Sequence, residues 1–85
     1  MADLPSHTLL VAALTAADAA HDDYERGALK GVVDQQWAGF YAAYVLGRLG
    51  EFALPTRLSV LLSEVDADSD WPETAAEHVL MKLRS

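Results

Sequence analysis

The run Asp34-Gln35-Gln36-Trp37-Ala38-Gly39-Phe40-Tyr41-Ala42-Ala43-Tyr44-Val45-Leu46-Gly47-Arg48-Leu49 reads as one helix, from a capping aspartate to the stop at Gly50. A second run, from Asp68-Ser69-Asp70-Trp71 to Leu83, repeats its skeleton: Asp34/Asp68, Trp37/Trp71, Ala42/Ala76, Val45/Val79, Leu46/Leu80 and Leu49/Leu83 agree, and Arg48/Lys82 match in charge. The starts of the preceding segments also echo, as Leu4-Pro5-Ser6 and Leu54-Pro55-Thr56. The chain therefore reads as two related helical hairpins: an all-α four-helix bundle with a rough internal repeat, one domain over residues 1–85.

Outward from that repeat, the first helix is expected from about Ser6 to Arg26. Ser6 would cap it, since a hydroxyl there accepts from an orphan first-turn amide. Leu10, Ala13, Leu14, Ala17 and Tyr24 mark its buried stripe by their three- and four-residue spacing. Gly27 and Gly31 punctuate the exit, leaving Ala28–Val33 as a connection. Thr56 is the expected cap of the third helix, with stripe Leu58, Leu61, Leu62 and Val65. Asp70-Trp71-Pro72-Glu73 resembles a capping box at the start of the fourth, which carries Ala75, Ala76, Val79, Leu80 and Leu83. The first helix is several turns longer than its counterpart in the second half.

Composition narrows the function classes. A net charge of −7 over 85 residues repels phosphate, which argues against nucleic-acid binding and anionic membrane surfaces. No cysteine means no disulfide, thiolate nucleophile or zinc–cysteine site. The longest uncharged stretches, Thr8–Ala17 and Gly39–Gly47, are too short to span a bilayer. The opening residues lack the basic and apolar regions of a signal peptide, so a cytoplasmic location is expected. No nucleophile elbow or phosphate loop is present, so an enzyme is the least supported class and no catalytic residue or cofactor is expected.

Three constellations carry the remaining interest. Asp18, His21, Asp22 and Glu25 fall on one helical face, a possible half-site for a divalent metal; the alternative is a solvated polar face. Trp37, Tyr41 and Tyr44 recur at helical spacing, and Tyr24 and Glu25 can face them across the hairpin. With His21 these residues are candidates to line a small-molecule pocket, Glu25 bonding to a tyrosine or to the Trp37 indole; the alternative is core packing. Gly39, Ala43 and Gly47 place a small residue every four positions. The groove they clear would admit the alanine face of the first helix (Ala12, Ala16, Ala19, Ala20) or the same helix of a second subunit.

The pattern His21-x-x-Tyr24-Glu25, followed by Asp34-x-x-Trp37-x-x-Phe40-Tyr41-Ala42-x-Tyr44-Val45, resembles a group of small bacterial all-helical proteins. In that group a similar tryptophan- and tyrosine-rich segment precedes a leucine-rich helix, and a Trp-Pro segment like Trp71–Leu80 closes the chain. The resemblance implies the fold and the helix register. It implies no activity, cofactor or catalytic residue.

The function expected from these readings is a small accessory or protein-interaction protein acting as a homodimer. Its motivation is a second helix apolar nearly all round, on a chain with room for only a modest core. A small-molecule or metal-binding module in the first hairpin is the alternative.

Overall fold

In a computed structural model, residues 3–27, 36–66 and 70–84 are described. The expected Asp34 cap, the Asp34/Asp68 pair and the 28–33 connection lie outside them. Four helices follow in chain order: α1 (His7–Gly27), α2 (Trp37–Leu49), α3 (Pro55–Ser63) and α4 (Trp71–Arg84). They form a four-helix bundle in which α1 and α3 each pack on both α2 and α4, and no strand occurs among the described residues.

Helix starts follow local chemistry, with two departures from expectation. The Ser6 hydroxyl accepts from the Leu9 amide at 3.1 Å, so the first cap stands as expected. α2 begins at Trp37, later than an Asp34 cap would place it. Gln36 occupies the cap position with φ −110° and ψ 30°, and its side chain makes no capping hydrogen bond. Instead its carbonyl accepts from the Gly39 and Phe40 amides. α3 begins at Pro55, and Thr56 lies inside the helix. Leu54 is extended at φ −69° and ψ 140°, because a proline ring excludes the helical region for the residue before it. Gly50 ends α2 at φ 91°, and its amide donates to the Leu46 carbonyl.

The core is a single cluster in which Leu10, Leu14, Val45, Leu58, Leu61, Leu62 and Val79 are fully buried. Each such side chain contributes roughly 1.5–3 kcal/mol relative to exposure. The repeated positions share one role: Ala42/Ala76, Val45/Val79 and Leu46/Leu80 are buried, while Leu49/Leu83 lie half-buried at its edge. Their outward faces also coincide. Gly39, Ala43 and Gly47 are the exposed stripe of α2, and the equivalent Glu73, Glu77 and Met81 are the exposed stripe of α4. α2 reads as apolar nearly all round because, apart from Arg48, glycine and alanine are what it turns to solvent.

That exposure corrects the expectation of a helix packed into the α2 groove from within the chain. A Cβ added at Gly47 would meet nothing within 4 Å, and one at Gly39 would only touch the Ser59 hydroxyl at 3.9 Å. Ala12 and Ala19 are themselves exposed.

Candidate functional site

The stripe of α1 runs Leu10, Ala13, Leu14, Ala17 and then His21, all buried. His21 is only 6% exposed, so it continues the apolar face. Tyr24, expected on that stripe, is 39% exposed. The imidazole of His21 meets the Phe40 ring edge-on at 5.0 Å and the Tyr41 ring at 5.2 Å. Tyr24 stacks on Phe40 at 5.3 Å, covering the outer side of the same cluster. Trp37, Tyr41 and Trp71 complete it: each pair meets edge-to-face, at 5.5 Å for Trp37–Tyr41, 5.4 Å for Tyr41–Trp71 and 5.7 Å for Trp37–Trp71. Such pairs add about 0.5–1.5 kcal/mol beyond the area they bury.

The polar atoms of this cluster face one another. The Tyr41 hydroxyl donates to the Asp18 carboxylate at 2.6 Å. Burial raises the Tyr41 phenol well above its ordinary ionisation range; the hydrogen bond to Asp18 and the charges of Asp18, Glu25 and Asp22 add to the effect. His21 Nδ1 lies 3.8 Å from Glu25 Oε1. Among the described residues no buried side-chain nitrogen or oxygen lacks a hydrogen-bond partner. Chemically, the arrangement is a closed aromatic lock between α1, α2 and α4.

The structure thus gathers His21, Tyr24, Glu25, Trp37 and Tyr41 but not Tyr44, which lies half-buried against the core without a ring contact to the others. The metal half-site is not formed: among the described residues no three His, Asp or Glu side chains converge to hold an ion. The reason is local. His21 is turned into the rings, Asp18 is bonded to Tyr41, and Asp22 pairs with Arg26 at 3.2 Å on the exposed side of the helix. The tyrosine partner expected of Glu25 belongs to Asp18, two turns earlier.

Two members of the lock, Phe40 and Trp71, fall outside the candidate list read from the sequence. The Trp37/Trp71 repeat was the available signal, since equivalent residues in paired repeats can meet at the axis relating them. A second surface was also missed: an open groove of about 470 Å³ lined by His7, Glu77, Leu80, Met81 and Arg84, between the start of α1 and α4.

Comparison of the chain with protein families, curated proteins and solved structures found no match. Among the described residues no helix is long and apolar enough to cross a membrane. What the fold and the cluster define is a small all-α four-helix bundle with an aromatic lock between α1, α2 and α4.

Proposed function

We propose that this is a small cytoplasmic interaction or accessory protein that acts as a homodimer. The observation that carries the reading is where the chain leaves its apolar side chains. Leu9, Leu54, Val60 and Met81 are each more than half exposed, while among the described residues every buried side-chain nitrogen or oxygen has a hydrogen-bond partner. A chain of 85 residues has a modest core, and association is a common way for such chains to gain stability. Sedimentation equilibrium from micromolar to near-millimolar concentration tests this. A dimer should form, and the melting temperature should rise with concentration, because subunit binding stabilises the folded state by mass action. A monomer throughout, melting independently of concentration, would overturn the reading.

A small-molecule role for the first hairpin is the second reading. The convergence of His21, Tyr24, Phe40 and Tyr41 favours it; the Tyr41 hydroxyl already committed to Asp18, with no buried polar side-chain atom unpaired among the described residues, weighs against it. A bound ligand at 100 times its dissociation constant would add about 2.7 kcal/mol of stability. A metabolite panel that leaves the melting temperature unmoved would remove this reading.

A further inference from the structure

The outer face of α4 has a charge pattern complementary to itself. Glu73, Glu77, Met81 and Arg84 recur at the spacing of one helical face, and all four are exposed. Met81 stands 58% exposed between the acidic and the basic ends. Leu80, buried beside it, forms part of the groove floor with His7 at the side. The His7 Nε2 lies 3.3 Å from the Glu73 carbonyl, which ties the start of α1 to this face.

Neither Glu77 nor Arg84 has an ion-pair partner among the described residues. They are seven residues apart, about 10 Å along the helix axis, so they do not neutralise each other within one copy. A partner helix running the other way does what the chain itself does not. If a twofold axis passes beside Met81, Glu77 of one copy faces Arg84 of the second, and the reverse pair follows by symmetry. The two Met81 side chains then meet at the axis, where their flexible thioethers cover the edge of the open groove.

We propose that the protein self-associates through this α4 face, in an isologous antiparallel pair joined by reciprocal Glu77–Arg84 contacts around Met81. The proposal rests on the homodimer reading above and names its surface. It selects α4 over the Gly39-Ala43-Gly47 face of α2, which has the same outward register but no charge to choose a partner or a direction.

Charge reversal tests it on the full chain by sedimentation equilibrium at low and high salt, with circular dichroism to establish folding. Glu77→Arg and Arg84→Glu should each weaken the dimer about tenfold or more, since each acts twice in a symmetric interface. Combining the two reversals should restore association, because the pairs re-form with opposite sign. Salt should weaken the wild-type dimer and the double variant alike. Gly47→Leu on α2 should leave association unchanged. A wild-type dimer indifferent to the single reversals, or not rescued by the double, or broken by Gly47→Leu, would overturn the α4 surface while leaving the homodimer reading intact. A wild-type monomer across the concentration range would overturn both.

Discussion

At the scale of single residues, Tyr41 is the most informative side chain. Its ring touches His21, Trp37 and Trp71, and its hydroxyl is held by Asp18 at 2.6 Å. Tyr41→Phe keeps the rings and removes the hydrogen bond. Asp18 is exposed and regains water, so the expected loss is about 1.5 kcal/mol, read from urea unfolding at pH 8. The pH dependence has a definite sign. The folded state holds the phenol proton more tightly than the unfolded chain does, because its ionisation is raised by burial and by neighbouring carboxylates. That stabilisation is fully present below the unfolded phenol value of about 10 and is lost as pH rises above it. The stability gap between wild type and Tyr41→Phe should therefore narrow above pH 10; a gap that widens there would contradict the assignment.

His21 shows where residue-level reading failed. Its position after Leu10, Leu14 and Ala17 is that of a core residue, and that periodicity was visible in the sequence. The acidic neighbours Asp22 and Asp23 made the segment look polar. In the structure they turn outward to Arg26, at 3.2 and 2.8 Å, and leave the imidazole on the buried side.

At the scale of elements, two glycines three positions apart, one inside α2 and one just past its end, should respond oppositely to alanine. Gly47 is helical, with open space where a Cβ would stand, so Gly47→Ala should stabilise by up to about 1 kcal/mol. Gly50 ends the helix at φ 91°, a conformation that side chains resist, so Gly50→Ala should destabilise by about 1–3 kcal/mol. Thermal melts of both variants check the pair; equal responses would mean that the helix end is misplaced. Losing the Ser6 cap in Ser6→Ala should cost about 1 kcal/mol by the same measurement.

The elements themselves were largely legible. Leucine spacing, Ser6, Gly50 and Pro55 mark helices by local rules that need no tertiary information. What the sequence did not disclose was how α1 slides against α2. Glu25 and Asp18 both lie within reach of a facing tyrosine by spacing alone. The choice of Asp18 depends on how two helices cross, which side-chain packing decides and no local pattern records. The starts of α2 and α3 were misplaced for a related reason: Asp34 and Thr56 are good caps in isolation, but the backbone of Gln36 and the ring of Pro55 set the boundaries.

At the scale of the whole molecule, the internal repeat separates two tasks. Its matching positions build one core. Its differing outward positions make two unlike faces, a smooth one on α2 and a charged one on α4. The α3–α4 contact also carries a tie between the halves of the second hairpin, His78 Nε2 to Glu64 Oε1 at 2.8 Å. Because both side chains reach solvent, His78→Ala should cost no more than about 1 kcal/mol, measured by thermal melt. A larger loss would show that this contact has a greater part in closing the bundle.

The meeting of Trp37 and Trp71 at 5.7 Å has an optical consequence. Both indoles of the chain, with Tyr41 between them, occupy one end of the core, so their near-ultraviolet transitions are close enough to couple. Tryptophan fluorescence will therefore report on that end, while Tyr44 and Phe52, outside the aromatic cluster, add their own bands to the near-ultraviolet dichroism. Opening at the Leu80–Arg84 end would be dark to the indoles. An added label near Met81 is what would make that half of the molecule visible.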